Sequence, residues 1–298
     1  MENQYPTIQD KGTLIQLSAS FGGGKKVHKE ATKELHEKHS VKKKKRAKVI
    51  VDMFDSPLLD EARKYSQQAR NYLKSMTVPW GDGGERWLPN SIESEVKSRL
   101  NLMIKTIEEM MTKHFDKWDL WEQRWKDEGG SLSDGSFPSK EDAMSKFSIH
   151  WEVGMCIDPN DIRIGGMSKE DSERFAAEVK ASEASRTRAA VRNVADQIEV
   201  VLTDMVKVGD YFTDSTGKKQ NVFRDSRIER TRDLANLLEH FNITDDPEIE
   251  NIRQRLLTEV CTVDADTLRE SKAARRMVAN SASDMLSRIG HIGKVKKD

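Results

Sequence analysis

Cysteine and long hydrophobic runs are scarce in this chain, and each scarcity excludes a class of protein. The 298 residues contain only two cysteines, Cys156 and Cys261, and their wide separation is typical neither of a zinc site nor of the disulfide framework of a secreted protein. No stretch approaches the roughly 18 apolar residues that a membrane-spanning helix needs, and the N-terminus lacks the hydrophobic core of a signal peptide. We therefore expect a cytoplasmic protein that has no contact with a membrane.

The familiar motifs of enzymes are also missing. The sequence contains no HExxH and no Gly-x-Ser-x-Gly segment. The segment Phe21-Gly22-Gly23-Gly24-Lys25-Lys26 superficially resembles a phosphate-binding loop. It lacks the required spacing, however, and carries Lys26 where a hydroxyl group should hold magnesium. We predict no catalytic activity, no cofactor and no metal site.

Charge is abundant and unevenly distributed. Charged residues make up 34% of the chain and hydrophobic residues 36%, which is below the roughly 45–50% of a typical globular domain. Such a composition suits long amphipathic helices with a narrow buried stripe. The net charge is zero, yet Lys25 to Lys48 holds eleven Lys or Arg residues against three Glu. This asymmetry predicts a basic arm on a mildly acidic body.

The strongest run of one charge sign is KKKKRAK, residues 42–48. Runs of this kind bind phosphate backbones by releasing counterions, without reading the base sequence. They are also typical of solvated arms and, in eukaryotic cells, of nuclear import signals. The predicted nucleic-acid contacts are Lys25, Lys26, Lys42, Lys43, Lys44, Lys45, Arg46 and Lys48.

Apolar periodicity predicts a mainly α-helical α+β protein, with two long antiparallel helices, a small antiparallel β ribbon and a C-terminal helical cluster. The helices are predicted at 58–76, Val96–Trp125, Lys169–Val208, Phe223–Phe241, Pro247–Val260 and Asp266–Ile289, and Lys25–Lys48 also favours helix. Strict alternation indicates a strand from Phe147 to Ile157. A second strand, Thr13–Ser20, is expected to pair with it, because an isolated hairpin is only marginally stable.

These elements suggest four consecutive regions. Residues 1–57 form an N-terminal strand and basic arm. Residues 58–210 form a hairpin of long helices with the β ribbon at 147–164. Residues 211–290 form the C-terminal helical cluster, and 291–298 a loose tail rich in lysine.

One loop, Val78–Pro89, has a composition that helix propensity does not explain. It holds two Pro, two Trp and three Gly within twelve residues. Arg86 is expected either to stack on the neighbouring tryptophans or to pair with Asp82. The loop is predicted to be a rigid clasp between helices or a partner-binding site, and its candidate residues are Pro79, Trp80, Asp82, Gly84, Arg86 and Trp87.

Three further tryptophans, Trp118, Trp121 and Trp125, recur at helical spacing. That spacing favours positions in a core or an interface. Their alternative use is as platforms on which nucleic-acid bases stack.

The loop also carries a resemblance. The series Pro79-Trp80-x-Asp82-x-Gly84-x-Arg86-x-Leu88-Pro89 is followed by Phe137-Pro138-Ser139, Asp161-Ile162-Arg163-Ile164 and Phe223-Arg224-Asp225-Ser226. This order resembles a widespread family of tailed-bacteriophage proteins of unknown function and covers nearly the whole chain. The sequence departs from the family at Phe21, where Trp is usual, and at Phe137, where Tyr is usual.

The resemblance implies a phage-encoded protein in the cytoplasm of an infected bacterium. Genes of this family often lie among replication and recombination genes, and some lie beside genes for AAA ATPases. The family provides no catalytic residues to assign to this chain.

We therefore expect a non-enzymatic helical homo-oligomer that acts in DNA metabolism. It would bind single- or double-stranded DNA without sequence preference, as an accessory to replication or recombination. The alternative is an adaptor or scaffold for a phage or host protein, such as an AAA ATPase, with no direct DNA contact. A third hypothesis, a hydrolase or nucleotide enzyme, would require a clustered polar pocket.

Overall fold

A computed structural model describes residues 11–22, 24–43, 45, 47–54, 56–81, 83–133, 137–154, 168–210, 212–213, 219–220, 225–290 and 292. The protein is mainly α-helical with a small antiparallel sheet and a C-terminal group of helices, which confirms the predicted α+β class. None of the described helices combines the length and the apolarity that crossing a membrane requires.

Strands lie mainly in the first half of the chain, whereas helices occur throughout it. In chain order, the strands are β1 (Gly12–Phe21), β2 (Lys25–Val27), β3 (Ile50–Asp52), β4 (Val78–Pro79), β5 (Arg86–Pro89), β6 (Phe147–Gly154), β7 (Phe212–Thr213) and β8 (Lys219–Gln220). The α-helices are α1 (Lys29–Lys38), α2 (Pro57–Ser75), α3 (Glu93–Phe115), α4 (Trp118–Glu128), α5 (Lys140–Ser145), α6 (Lys169–Val206), α7 (Ser226–Phe241), α8 (Pro247–Arg255), α9 (Ala265–Glu270) and α10 (Lys272–Ile289).

Several helix starts follow directly from local sequence. The Ser139 side chain accepts a hydrogen bond from the Asp142 amide at the start of α5, and Ser168 does the same for the Asp171 amide at the start of α6. In both cases the serine at the N-cap satisfies an amide that the first helical turn leaves unpaired. At α8, Asp246 is the cap and proline occupies the first helical turn, as its fixed φ favours.

Two predicted helices are interrupted. The single helix expected over Val96–Trp125 is wrong, because the chain leaves helical geometry at Asp116–Lys117 and restarts as α4. At this break the His114 carbonyl accepts two hydrogen bonds, from the Lys117 amide at 3.2 Å and from the Trp121 indole N–H at 3.0 Å.

A similar interruption lies near the C-terminus. The helix predicted over Asp266–Ile289 is divided at Ser271, whose backbone is extended. The Ser271 side chain accepts from the Ala274 amide and so caps α10.

The segment Lys25–Lys48 is also not one helix. Only Lys29–Lys38 is helical, and Lys25–Val27 forms strand β2. The prediction relied on the helix propensity of Lys and Glu, which pairing with β3 overrides at this site.

The chain divides into two compact units. Unit 1 is built from the described residues of Met1–Gln16, Lys74–Ser94 and Val153–Asp298, and unit 2 from those of Leu17–Leu73 and Glu95–Glu152. Each unit therefore draws on separated stretches of the sequence.

Unit 1 combines a small sheet with the C-terminal helices. The first residues of β1 pair antiparallel with β5, and β5 pairs antiparallel with β4. The second half of α6 packs chiefly against α10, with α7 and α8 beside them. The largest fully buried side chains of this core are Trp87, Ile198, Leu202, Met205, Leu238, Phe241 and Ile249.

Unit 2 has an aromatic core. Strand β6 lies beside β1, so the predicted pairing of these two strands is confirmed. The predicted continuation of the ribbon through residue 164 lies outside the described residues. Buried side chains of the core are Leu59, Ala62, Ile107, Met111, Phe115, Trp118, Trp121 and Ile149.

Candidate nucleic-acid interface

The loop predicted as a clasp or a docking site is a tight hairpin in unit 1. Strands β4 and β5 pair antiparallel, and the Trp80 amide donates to the Glu85 carbonyl at 3.0 Å. At the tip, Gly81 and Gly84 have φ values of 75° and 84°. This left-handed region is readily accessible only to glycine, so the return of the chain accounts for two of the loop's glycines.

The two tryptophans of the hairpin belong to the core rather than to the surface. Trp80 and Trp87 are both buried among the side chains of unit 1. A Cβ atom added at Gly12 would collide with the Trp87 ring, so the backbone of β1 packs directly against that ring. Among the described residues of the hairpin, the exposed ones are the glycines of its tip, Gly81, Gly83 and Gly84.

Arg86 ties the hairpin to the end of α2. Its Nε–H donates to Thr77 Oγ1 at 2.6 Å, and its Nη2 donates to the carbonyls of Thr77 at 2.7 Å and Lys74 at 3.2 Å. Burial lowers the pKa of the Arg86 guanidinium. The positive charge of Arg86 lies at the C-terminal end of α2, where the helix dipole is negative and favours a cation. Asp82 lies outside the described residues, so its pairing with Arg86 stays a prediction.

The tryptophans of α4 are also structural. Trp118, Trp121 and Trp125 are all buried in unit 2. The Trp118 ring lies 5.0 Å from Phe54 and 5.2 Å from Phe137, measured between ring centroids. The alternative that these rings stack on nucleic-acid bases is wrong, because neighbouring side chains already cover them.

Strands β2 and β3 enclose α1 in the sequence and form with it a small folded module, the basic lobe (residues 24–54 of unit 2). The two strands pair antiparallel, with Lys25 opposite Asp52 and Val27 opposite Ile50. The His28 amide donates to the Val49 carbonyl at 3.0 Å, which extends the pairing beyond the strands.

One side of this ribbon is anchored in unit 2. Val51 is buried and clusters with Met53 and Trp125. Because side chains alternate along a strand, Ile50 and its cross-strand neighbour Val27 point to the opposite side, where they are 60% and 39% exposed. The ribbon therefore presents an apolar pair to solvent.

Helix α1 lies against the segment that follows it. His36 Nε2 lies 2.7 Å from the Ala47 carbonyl, and the Val49 amide donates to Thr32 Oγ1 at 3.0 Å. Between helix and segment is a groove of about 490 Å³. Its lining includes Lys29, Lys33 and Lys42, of which the first two are four residues apart and so share one face of α1.

The predicted lysines lie on or beside this lobe. The exposed ones are Lys25, Lys42, Lys43, Lys45 and Lys48, whereas Lys26 is half-buried. Lys44 and Arg46 lie outside the described residues. The structure adds three exposed lysines of α1 that the candidate set omitted, Lys29, Lys33 and Lys38. The i, i+4 spacing of the first two was readable in the sequence.

The positive charge of the lobe is only weakly compensated. Its described residues include eight exposed lysines against four exposed carboxylates, Glu30, Glu34, Glu37 and Asp52. The pair Lys33–Glu37 is 3.9 Å apart with both side chains largely in solvent, a geometry that contributes little to stability. The arrangement can attract a polyanion along its surface.

Outside the basic lobe, the described groups that bear on catalysis are a cysteine and the possible metal ligands. Cys261 is buried, and burial raises its thiol pKa, which disfavours the reactive thiolate. Cys156 lies outside the described residues. Within the described ranges, no three His, Cys, Asp or Glu side chains group as metal ligands would.

No family model, curated protein or solved structure matches this chain. The resemblance to the phage family accordingly stays a prediction. The function of the chain is therefore inferred from the charge, exposure and geometry of its own residues.

Proposed function

We propose that this protein binds nucleic acid without reading its sequence, and that the basic lobe is the binding surface. The observation that supports this is the concentration of eight exposed lysines among the described residues of one folded module, residues 24–54. Neutralising a phosphate backbone releases its condensed counterions and so favours binding. A lysine ammonium acts as a point charge that pairs with phosphate oxygens, and contacts to phosphate carry no sequence information. Binding independent of sequence follows from that chemistry.

Neutralising the run that borders the groove tests the proposal. We expect the variant Lys42→Gln/Lys43→Gln/Lys45→Gln to bind a labelled oligonucleotide at least about tenfold more weakly at low salt. The slope of log K against log salt should become shallower by about 2, since each phosphate contact contributes roughly 0.7–0.9. Fluorescence anisotropy over a range of salt concentrations measures both quantities.

A matched control separates local from overall charge. Lys105, Lys113 and Lys117 are exposed lysines of unit 2 outside the basic lobe, and their triple change to Gln alters net charge equally. This control should keep wild-type affinity and slope. Equal weakening by both triples, or no binding of wild type at low salt, would contradict the proposal.

We further propose that two copies associate through the first half of α6. The buried side chains of α6, all of whose residues are described, begin at Ala190. The preceding stretch, Lys169–Ala189, is therefore about 20 residues or roughly 30 Å of helix without a buried face. Since most helix stability in proteins comes from packing, such a length favours a covering partner.

Charge favours a second copy as that partner. Acidic residues outnumber basic ones over 169–178, where Glu170, Asp171, Glu173 and Glu178 stand against Lys169 and Arg174. Basic residues outnumber acidic ones over 179–189, where Lys180, Arg186 and Arg188 stand against Glu183. Two such helices placed antiparallel bring each acidic segment beside the basic segment of the other copy. Complementary charges of this kind set orientation and partner choice.

Charge reversal tests the association. We expect Arg186→Glu/Arg188→Glu to raise the dimer Kd about tenfold, because four interhelical pairs become repulsive. Light scattering coupled to size exclusion measures the change. Mixing this variant with Glu170→Lys/Glu173→Lys should restore a heterodimer. A wild-type chain that stays monomeric at high concentration would refute the idea.

A further inference from the structure

The basic lobe carries the apolar pair Val27–Ile50 beside its lysines. Attraction between the lysines and phosphates does not involve this pair, so its exposure needs a separate explanation. An exposed aliphatic side chain by itself is ordinary. Here, however, two of them lie directly opposite each other across the ribbon. Exposed Lys25 precedes Val27 by two residues, and exposed Lys48 precedes Ile50 by two.

We infer that the ligand of the basic lobe is single-stranded DNA, with its bases set against Val27 and Ile50 and its phosphates along the lysines. This inference rests on the proposed function and specifies its ligand. A duplex stacks its bases inside and turns phosphates outward, so an apolar surface gains little from it. A single strand exposes the apolar faces of its bases, which can lie on a protein surface flanked by cations.

The way in which the ribbon is attached to unit 2 disfavours contact between Val27 or Ile50 and the grooves of a DNA duplex. A two-stranded ribbon can enter the major groove, and an apolar side chain can wedge between base pairs in the minor groove. Both require a projecting element. Strands β2 and β3 are three residues long, are joined through α1 and rest on buried Val51, so the ribbon is a patch on the lobe and not an arm.

The aliphatic pair also favours DNA over RNA. Val27 and Ile50 carry no side-chain group that could hydrogen-bond a ribose 2′-hydroxyl, the group by which proteins distinguish RNA. Thymine adds a methyl group that makes apolar contacts. Oligo(dT) is therefore the probe of choice.

The experiment compares labelled oligo(dT) of about 30 nucleotides with a duplex and with oligo(U) of equal length, by anisotropy on the full chain. We expect wild type to prefer oligo(dT) to the duplex by about tenfold. The variant Val27→Thr/Ile50→Thr should bind oligo(dT) about fivefold more weakly, with unchanged duplex binding. The salt slope should also be unchanged, because no charge is altered.

Two controls keep the test decisive. Ile50→Leu retains the apolar surface and should keep wild-type affinity, which shows that the apolar character of this position is what binding requires. The unchanged duplex binding of the threonine variant shows that it is folded. Leu102, which is 56% exposed on α3 of the same unit, changed to Gln should leave oligo(dT) binding unaltered.

The outcomes distinguish this inference from the proposed function. Failure to bind any of the three probes overturns both. Equal affinity for oligo(dT) and duplex, preference for duplex or oligo(U), or an unaffected threonine variant overturns only the assignment of single-stranded DNA, while the lysine variants still test nucleic-acid binding.

Discussion

A Trp87→Ala variant is expected to lose about 3–5 kcal/mol of the free energy of unfolding, the usual cost of removing a buried indole. The side chain is only 1% exposed and lies in the core of unit 1. Its residue pairs with Leu14 across β1 and with Val78 across β4. Truncation would therefore leave a cavity at the centre of a three-stranded ladder, where the backbone cannot collapse to fill it.

Urea unfolding followed by circular dichroism measures this loss. Gly83→Ala is the matched control in the same hairpin, because an added Cβ there meets nothing within 4 Å and should change stability by less than about 0.5 kcal/mol. Unchanged stability of the Trp87→Ala variant would contradict the structural role. A loop that serves mainly for docking would give the reverse pattern, a fully stable variant that no longer captures its partner.

The parts of the fold that the sequence predicts well are those fixed by neighbouring residues. The Ser139 and Ser168 caps, the alternation of β6 and the proline at the start of α8 each depend on contacts within a few positions. Local rules suffice at such places, since local and tertiary preferences agree.

Features set by distant contacts were predicted poorly. The break after Phe115 depends on burial of the α4 tryptophans, and β2 exists only because β3 pairs with it from more than 20 residues away. The partners of Arg86 lie nine and twelve residues earlier in the chain, at and just beyond the end of α2. Each unit also joins separated stretches of chain, which periodicity cannot reveal.

The candidate site shows the same division. The charge run at residues 42–48 is evident in the sequence, and counting charges was enough to locate it. Its shape was not evident. The outward face of Ile50 follows from the anchoring of Val51 against Trp125, which lies more than 70 positions away. The groove follows from the contacts of α1 with the segment after it, His36 with Ala47 and Thr32 with Val49.

Buried His114 provides a second large effect, on stability as a function of pH. Its side chain is 1% exposed within the aromatic core of unit 2. Nδ1 lies 2.8 Å from Ser56 Oγ, and the ring stacks on Trp121 with 5.9 Å between centroids. Burial, together with a smaller effect of the charge of Arg63, lowers the pKa of His114 from 6.5 to about 4.

The sign of the effect follows from proton uptake. Between pH 6.5 and about 4 the unfolded chain protonates this histidine and the folded chain does not, so acid favours unfolding. Stability from this group is fully present above pH 6.5 and falls by about 1.4 kcal/mol per pH unit below it. The total loss by pH 4 is about 3 kcal/mol. Carboxylates such as Glu250, whose pKa Arg253 lowers to about 2, lose their contribution only below pH 4.5.

Urea unfolding at several pH values between 6.5 and 4 tests this dependence. In the variant His114→Gln, the side chain at this position does not titrate in that pH range. The variant should be less stable than wild type near neutral pH, because it disturbs the aromatic core, but its stability should decline much less steeply with acid. His150→Gln, at an exposed position of β6, should keep the wild-type slope because His114 remains. If the free energy of unfolding falls equally steeply with acid in wild type and His114→Gln, groups other than His114 control acid unfolding. If it falls less steeply only in His114→Gln, the buried imidazole is the source of the pH dependence.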